Sequence, residues 1–279
     1  MRYALYMPNF GEHSDPQVLG ELAHEAEDLG WDGFFLWDHI HQSGPTAFSF
    51  SDPWIALAVM AMRTKRITIG PLVTPLARRR PWQLAREAVT LDHLSGGRLV
   101  QGVGIGSDGW REYSAFGEDP DPKLHADMLD EGLAVLTGLW SGEPFTYSGT
   151  HYHLDAARCL PTPVQRPRIP IWVAGAWPNK RPFRRAAQWD GVAPIGTHSD
   201  FLSPDEIRDM CAYLALHRQS ATPIEVACGN NQYHHDLAQA SEVTAAYASA
   251  GVTWWLEWCQ PGTSLEETRR RIRRGPPTA

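Results

Sequence analysis

The stretch RITIGPLVTPLARRRPWQLAREAVTLDHLSGGRLVQGVG, residues 66–104, contains one complete strand–helix–strand unit. It opens with the short, mainly apolar run RITIG, which is typical of a strand covered on both faces. Arg80-Pro81 then opens an amphipathic segment, because proline suits the first helical turn, and Gly96-Gly97 ends it. The second apolar run, RLVQGVG, follows at once. This order predicts a parallel β-sheet covered by helices.

The same order recurs along the chain. Apolar runs that precede a helical segment lie at residues 3–7, 33–37, 66–70, 98–104, 169–175, 190–195, 223–229 and 252–258. The helix after the run at 169–175 is expected at about 182–189, and the helix after the run at 223–229 is expected to begin at about Asp236. Several helices have clear start signals, such as Asp15 before a proline and the capping-box spacings of Ser203 with Glu206 and of Ser264 with Glu267. About eight such units predict an α/β fold of the (β/α)8 TIM barrel type.

The segment at residues 141–168 interrupts this order. It contains the strand-like FTYSGTHYHL and then a proline-rich return, which together predict a hairpin insertion. The insertion lies between the fourth helix and the fifth barrel strand, and it is too short to hold a core of its own. We therefore expect residues 1–279 to form a single barrel domain that carries this hairpin.

The composition disfavours several classes of protein. The chain has 279 residues and a net charge of -7, which makes a nucleic-acid groove an unfavourable interpretation. Its 4 cysteines form no CxxC pair, so they indicate reduced thiols and a cytoplasmic location. No run of about 18 apolar residues occurs, so we expect neither signal peptide nor membrane span. The Arg-rich end, residues 269–274, is interpreted as solvated last turns of a helix and a frayed tail.

Polar side chains end the second apolar run. The stretch LGWDGFFLWDHIHQ, residues 29–42, passes from aromatic residues to Asp38, His39 and His41. In a (β/α)8 barrel the chemistry lies at the C-terminal ends of the strands, so these side chains are expected at the active face. The corresponding positions after the other strands are Asn9, 71–74, 104–107, 175–177, 194–198, 230–232 and Glu257. This set is rich in glycine, amide and aromatic groups, which suits a flat ligand held by backbone amides.

Two motifs at this face have alternative interpretations. GVGIGSDG, residues 102–109, has the glycine spacing of a dinucleotide fingerprint, but no helix opens at its last glycine. Gly104 and Gly106 more simply let a ligand approach the backbone, or form a tight turn without a ligand. His39 and His41 are spaced to share a metal ion, but the later strand ends supply few further ligands.

Basic and aromatic groups near the active face also leave alternatives open. The triplet at residues 78–80 either steers an anion into the barrel or forms a solvated loop. Trp110, Trp177 and Trp255 favour an apolar or aromatic substrate, although many tryptophans only fill a core.

The unit at residues 66–106 closely resembles the luciferase-like flavin-dependent oxidoreductases. The segments GWDGFFLWDHI (30–40), VAGAWPNKRPFRRAAQWDGVAP (173–194) and AGVTWWLEW (250–258) resemble the same family, in the same order. The resemblance implies a (β/α) barrel with an insertion. It also implies a cofactor, which is FMN in the bacterial luciferase-like monooxygenases and the deazaflavin coenzyme F420 in the other branch.

The resemblance also implies roles for individual residues. His39 and Asp38 are expected at the reacting ring as catalytic residues, although bacterial luciferase has a His-His pair there. Pro71, Leu72 and Val73 match a bulge with a non-proline cis peptide, which we expect at Leu72–Val73. The remaining cofactor-binding residues implied are Thr74 at the ring edge, Gly104, Gly106 and Ser107 along the ring, and Gly175, Ala176 and Trp177 at the phosphate. The sugar-phosphate dehydrogenases of the family have Glu in place of Ser107, which argues against that activity.

These implications lead to a first expectation of a monooxygenase that uses reduced flavin and oxygen on a small organic substrate. The alternatives are an F420-dependent hydride-transfer enzyme, a non-catalytic flavin-binding protein and a metal-dependent barrel hydrolase. The partners expected are the small-molecule substrate, with no nucleic acid and no membrane. A homodimer and a separate flavin reductase are further partners that the resemblance allows.

Overall fold

The computed structural model describes residues 1–44, 48–197, 201–230 and 237–277. The described strands are β1 (Arg2–Met7), β2 (Gly33–Leu36), β3 (Thr68–Pro71), β4 (Thr74–Pro75), β5 (Gln101–Gly104), β6 (Phe145–Ser148), β7 (His153–Ala157), β8 (Ile171–Trp177), β9 (Gly191–Gly196), β10 (Glu225–Asn230) and β11 (Trp254–Trp258). The described helices are α1 (Pro16–Asp28), α2 (Pro53–Arg63), α3 (Pro81–Ser95), α4 (Pro122–Trp140), α5 (Lys180–Ala186), α6 (Pro204–His217), α7 (Leu237–Ala250) and α8 (Leu265–Arg274).

The large sheet is a parallel barrel. Its strands follow the order β3-β2-β1-β11-β10-β9-β8-β5-β4. A parallel bridge between Ile69 and Leu99 joins β3 to the residues that lead into β5, and it closes the ring. Because β3 and β4 are two parts of one interrupted barrel strand, the barrel has eight strand positions. The predicted (β/α)8 TIM barrel is confirmed.

Alternation along the strands separates two apolar layers. The barrel interior is filled by a smaller cluster, which includes Phe35, Trp172 and Trp254. A larger cluster lies between the strands and the surrounding helices. Successive strand residues point to opposite faces. In β11, for example, Trp254 and Leu256 point into the barrel, while Trp255 packs outward on Tyr247 with ring centroids 5.1 Å apart.

The hairpin insertion is also confirmed. Strands β6 and β7 pair antiparallel between α4 and β8. Glu131 of α4 fixes the hairpin, because its carboxylate accepts hydrogen bonds from the backbone amides of Thr150, His151 and Tyr152. The hairpin therefore lies beside the barrel and leaves the parallel sheet uninterrupted.

Helix starts follow the predicted signals. Asp15 accepts a hydrogen bond from the backbone of Gln17 at the start of α1, and Ser203 and Glu206 form a complete capping box on α6. The helix predicted from Asp236 is described from Leu237 onward, and Asp236 itself lies outside the described residues. No helix in these described ranges has the length and hydropathy to span a membrane.

The region after the fifth barrel strand differs from the prediction. Residues 175–177 were expected in a loop before a helix at 182–189, but they belong to β8 and the helix spans Lys180–Ala186. The physical reason is pairing, because Gly175, Ala176 and Trp177 lie in register with residues 194–196 of β9. The strand therefore continues for two residues beyond its predicted end.

Residues 269–274 form the last turns of a helix, α8, as the sequence predicts, but the prediction that their side chains are solvated is wrong for Arg269 and Arg274. Arg269 pairs with Glu21 and Glu25 of α1, and the side chain of Arg274 forms a buried ion pair with Glu257 at 3.2 Å. These contacts hold α8 against the barrel. A local charge pattern does not show such partners, because they lie far away in the sequence.

Arg98 stabilises the N-terminal end of the barrel. Its guanidinium donates five hydrogen bonds, to the carbonyl oxygens of Ala61, Thr64, Ile67 and Ser95 and to the Thr64 hydroxyl, at 2.7–3.1 Å. We expect Arg98→Ala to lower the free energy of unfolding by about 3 kcal/mol, because buried carbonyls lose their donors. Urea unfolding measures this change.

Arg208→Ala is the matched control for Arg98→Ala, because Arg208 makes an exposed ion pair with Asp205 on α6. Exposed pairs contribute about 1 kcal/mol or less. Equal losses in the two variants would contradict the structural role assigned to Arg98.

Candidate active site

A cavity of about 420 Å³ opens at the C-terminal ends of the barrel strands. Most of its wall consists of small or apolar residues, among them Leu72, Val73, Pro75, Gly104, Ile105, Ala174, Ala193, Ala227, Gly229 and Leu256. Its size lies within the range of about 300–1,000 Å³ that is usual for ligand sites. The cavity is therefore the candidate active site, at the position that the barrel fold predicts.

His39 and Glu112 form the central polar pair of this cavity. Nδ1 of His39 lies 2.9 Å from Oε2 of Glu112, and the other carboxylate oxygen accepts a hydrogen bond from the Ile40 amide at 2.8 Å. Asn9 bonds both the amide and the carbonyl of His39, which fixes the backbone. Asn9 thus fixes the backbone of His39 and Glu112 fixes its ring, while 30% of the His39 side chain stays exposed.

Arg78 connects Glu112 to Asp38. Its guanidinium donates to Glu112 at 2.7 Å and to the Asp38 carboxylate at 2.9 Å. Arg79 adds a second cation at 3.2 Å from Asp38. The side chain of Asp38 is fully buried, and that of Arg78 is 5% exposed. Burying these charges is tolerated because each one is paired and hydrogen-bonded.

The charges around Glu112 determine its protonation. Burial raises the pKa of Glu112, but the hydrogen bond from His39 and the charges of His39 and Arg78 outweigh it, so the pKa lies below its ordinary value. Glu112 is therefore a carboxylate near neutral pH, and it accepts the hydrogen at Nδ1 of His39. In neutral His39 this tautomer leaves a lone pair on Nε2, which makes no hydrogen bond to a described residue.

Three aromatic rings surround His39. The ring of Trp110 lies 4.5 Å from the imidazole, Trp37 lies at 5.7 Å and Phe10 at 5.9 Å, measured between centroids. These rings restrict the approach of water to the imidazole and limit its rotation.

The backbone opposite His39 has the predicted bulge. The peptide bond Leu72–Val73 is cis, which confirms the prediction, and both residues line the cavity. Gly104 is required beside it, because a Cβ there would lie 2.8 Å from a methyl carbon of Val73. Gly106 has φ +74°, and a Cβ there would lie 2.5 Å from the Tyr113 hydroxyl. At both positions the neighbouring side chains leave room only for glycine.

The structure places the predicted cofactor residues in two groups. Those that line the cavity are Leu72, Val73, Gly104, Gly106, Ser107, Gly175 and Ala176. Pro71, Thr74 and Trp177 are not part of the wall. The hydroxyl of Thr74 is buried without a partner among the described residues, and Trp177 packs on Phe183 with ring centroids 5.1 Å apart. Asp38 and His39 both line the cavity, but the Asp38 carboxylate is paired with Arg78 and Arg79.

His41 and the basic triplet at 78–80 are the residues for which the sequence left a metal site and an anion-steering role open. His41 packs against Phe116, and the described residues contain no group of three or more side chains that could hold a metal ion. Arg78 and Arg79 are neutralised by acids, which leaves only Arg80 of the basic triplet without an ion pair in the described structure. Of the residues expected at the active face, His198, Asn231 and Gln232 lie outside the described residues.

Sequence reasoning missed Glu112 and Arg185. Arg185 lines the cavity from α5 and is 7% exposed. Its Nε and Nη2 donate to Asp130 at 2.5 and 2.9 Å, and Nη2 also donates to the Ala126 carbonyl. Nη1 makes no hydrogen bond to any residue in the described ranges, so its hydrogens are available to a ligand. A single acid in a loop and one Arg among several on a helix carry no sequence signal for these positions.

Of the three tryptophans expected at the active face, Trp110 lies against His39, whereas the other two do not line the cavity. Trp255 is buried between β11 and α7, and Trp177 faces α5, because alternation turns both away from the barrel interior. The rings that line the cavity are Tyr6, Trp37 and Trp258. Trp258 lies four residues after Trp254, which points into the barrel, so the two-residue strand period places Trp258 on the same face.

Glu112→Gln should lower the free energy of unfolding at pH 7 and make this free energy less dependent on pH. The pKa of Glu112 is lower in the folded protein than its ordinary value. Such a carboxylate stabilises the folded state at pH values above its unfolded pKa, and this stabilisation is lost as the pH falls through its folded pKa. The variant lacks this stabilisation, so we expect a lower free energy of unfolding at pH 7 and a smaller further loss towards pH 4. Urea unfolding at both pH values measures the difference.

The control for Glu112→Gln is Glu118→Gln, which removes an exposed acid from the same loop. Its free energy of unfolding should change between pH 7 and pH 4 as that of the parent chain does. If Glu112→Gln shows the same pH dependence as the parent chain, the ionised state of Glu112 beside His39 and Arg78 is refuted.

Comparison with known proteins supports the fold and the family. A family model described as luciferase-like monooxygenase matches residues 2–274. An F420-dependent glucose-6-phosphate dehydrogenase from Microbacterium testaceum is 33% identical over 174 residues, which are 60% of this chain and 49% of that protein. The chain thus spans about half the length of such curated relatives.

Two solved structures share the fold over nearly the whole chain. An F420-dependent secondary alcohol dehydrogenase in complex with an F420-acetone adduct has a TM-score of 0.82 at 18% identity, and 99% of this chain and 98% of that chain are covered. A monooxygenase from Streptomyces bottropensis has a TM-score of 0.76 at 20% identity, with 98% and 97% covered. Similarity at this level of identity shows the common barrel.

Proposed function

The chain belongs to the luciferase-like monooxygenase family, and we propose that it is a deazaflavin-dependent oxidoreductase that transfers hydride between coenzyme F420 and a small organic substrate. The observation that carries the proposal is the His39–Glu112 pair, which faces a flat, glycine-lined cavity. The named curated relatives favour F420 over the oxygen-using monooxygenase that was our first expectation.

The cavity fits a tricyclic ring on one side of His39. The bulge at Leu72–Val73 and the backbone of Gly104 and Gly106 line one side of the cavity, and we call this part of the wall the glycine cradle. On the α5 side, Arg185 presents its unpaired Nη1 and Asn179 presents an amide. We assign the ring to the cradle and the phosphate of the cofactor to Arg185 and Asn179. Cations and amides are the usual partners of phosphate.

The chain contributes proton transfer and positioning. When bound, the deazaflavin accepts or donates hydride. His39 supplies the proton acceptor, because its Nε2 carries a lone pair while Glu112 holds the Nδ1 hydrogen. Glu112 is thus a positioning residue, and it also stabilises the imidazolium that forms. Asp38 acts indirectly. Its carboxylate accepts a hydrogen bond from Arg78, and Arg78 also donates a hydrogen bond to Glu112.

Exclusion of water is the second contribution of the protein. The rings of Phe10, Trp37 and Trp110 enclose His39, and the inner wall of the cavity is apolar. Fewer waters near the imidazole strengthen its interaction with Glu112 and with a substrate hydroxyl. The single-domain organisation, the cytoplasmic location and a homodimer stay predictions from the sequence.

Parallel titrations with oxidised F420 and with FMN test this function. We expect F420 to bind at least about tenfold more tightly, which corresponds to about 1.4 kcal/mol. Quenching of cofactor fluorescence measures both affinities. Tighter binding of FMN, together with oxygen consumption when FMN is reduced, would replace the proposal by a monooxygenase.

A further inference from the structure

We infer that a second cavity, at the N-terminal ends of the barrel strands, binds a small phosphate monoester with an apolar body. This N-terminal cavity has a volume of about 350 Å³. It lies at the end of the barrel opposite to the candidate active site, and none of its described lining residues lines the active-site cavity. The inference is independent of the proposed hydride transfer.

The starts of the strands form the wall of the N-terminal cavity. The lining residues that begin a strand or directly precede one are Arg2 at β1, Thr68 at β3, Val100 at β5, Pro170 at β8, Asp190 at β9, Glu225 at β10 and Trp254 at β11. The rings of Trp172 and Trp254 have centroids 5.4 Å apart, and both belong to the cluster that fills the barrel interior. The inner part of the cavity therefore contacts a packed aromatic layer.

Arginines outnumber acids at this cavity. The charged side chains among its described lining residues are Arg2, Arg98, Arg166, Arg168, Asp190 and Glu225. Arg2 pairs with Glu225 and Arg168 pairs with Asp190, so both acids are matched. Arg98 and Arg166 have no carboxylate partner in the described structure. In a chain with a net charge of -7, this cavity thus has a local excess of positive charge.

The hydrogen bonds of these arginines leave donors for a ligand. Arg98 uses all five of its donors on carbonyl and hydroxyl oxygens of the protein, so it contributes charge alone. Arg166 bonds only oxygens of residues 162–165, through Nη1 and Nη2. Its Nε makes no hydrogen bond to a described residue, and neither do Nε and Nη1 of Arg2. Arg2 and Arg166 can therefore both donate to one anion.

A phosphate monoester matches this charge. It is mainly a dianion near neutral pH, and two positive charges at the cavity lack an acid, whereas a carboxylate balances only one of them. Guanidinium groups also match the geometry of phosphate oxygens. Side chains at this end of a barrel commonly serve stability, and the ion pairs of Arg2 and Arg168 have that role. Arg166 has no such partner, so stability leaves its charge unexplained.

The rest of the wall suits an apolar body on the phosphate. Its apolar residues are Leu99, Val100, Pro167, Pro170, Trp172, Pro223 and Trp254. The guanidinium of Arg2 lies 4.3 Å from the ring centroid of Trp254, which places a cation directly beside the aromatic layer. An anion bound to Arg2 therefore holds its organic group close to apolar surfaces, and the burial of that group contributes to binding. The cavity volume of about 350 Å³ lies within the usual range for small-molecule sites.

Melting curves of the full chain with phenyl phosphate test the inference. At a concentration of about ten times Kd, the melting temperature should rise by about 2 °C or more, because the ligand binds only the folded chain. Benzoate has a single charge and inorganic phosphate has no apolar body, so both should raise it less at equal ionic strength. Isothermal titration calorimetry measures the affinities directly.

Two pairs of variants locate the site. Arg166→Gln should weaken the binding of phenyl phosphate about tenfold or more, whereas Arg273→Gln should not, because Arg273 is exposed on α8 and does not line the cavity. Thr222→Glu adds an acid to an exposed position of the wall and should also weaken binding, whereas Thr222→Gln should weaken it less. The second pair decides the matter if Arg166→Gln does not fold.

Ala176→Glu distinguishes the two cavities, because its change lies in the active-site cavity. It should bind phenyl phosphate as the parent chain does. Binding that is lost in Ala176→Glu but kept in Arg166→Gln and Thr222→Glu would place the ligand in the active-site cavity and overturn the inference. An equal rise in melting temperature with sodium chloride of the same ionic strength, or no rise at all, would overturn it as well.

Discussion

His39→Ala should reduce turnover about 100-fold or more, because a positioned general base commonly contributes 10²- to 10⁴-fold. The variant removes the imidazole but leaves the backbone bonds with Asn9 in place. Glu112 keeps its bond with Arg78, so the buried carboxylate stays paired. We therefore expect the fold and the cofactor affinity to change little. Steady-state kinetics, cofactor titration and melting curves measure the three quantities.

His41→Ala is the matched control for His39→Ala. His41 lies two residues away and packs against Phe116, outside the wall of the cavity. It should retain nearly full turnover. Full turnover of His39→Ala, with intact cofactor binding, would remove His39 from the mechanism.

Ala176→Glu should weaken cofactor binding about 100-fold or more. Ala176 lies in β8 and lines the cavity between the glycine cradle and Arg185. The added carboxylate occupies space in the cavity and repels the cofactor phosphate at close range. Because the side chain points into the cavity and not into the packed core, the cofactor-free protein should melt at nearly the same temperature.

Ala176→Gln separates the two causes, because glutamine has nearly the same size and no charge. It should weaken binding less than Ala176→Glu does. Unchanged affinity of both variants for F420 would refute the placement of the cofactor beside β8. A large fall in the melting temperature of the cofactor-free variants would show that Ala176 acts through stability instead.

The barrel was predictable because its signals are local. Proline after a polar residue, capping-box spacing and short apolar runs report on neighbouring residues, and α1 and α6 begin with the caps that the sequence indicates. The end of β8 was not predictable from such signals. Its last residues continue as a strand because β9 pairs with them, and pairing partners are distant in the sequence.

The candidate site was predictable where strand ends determine it. His39 and the bulge at Leu72–Val73 follow strands directly, so the barrel architecture places them at the cavity. Glu112 lies 73 positions after His39, and Arg185 lies 55 positions after Asp130, its partner. Their roles arise from tertiary contacts that no local pattern contains.

Strand alternation would have improved one part of the prediction. Trp255 and Trp177 seemed suitable for the mouth by position, but both face helices. Trp258 has the same parity as Trp254, which lies in the barrel interior, and it lines the cavity. A two-residue period decides which face of a strand each residue occupies, and this information is present in the sequence.

A crystal structure of the full chain with bound F420 tests the central claim most directly. We expect the ring to lie in the cavity against Val73 and Gly104, with its reacting face open towards His39 and its phosphate at Arg185. We also expect His39 to keep its bond to Glu112 in the complex. A cofactor bound outside this cavity, or a ring from which His39 is shielded by the wall, would contradict the account.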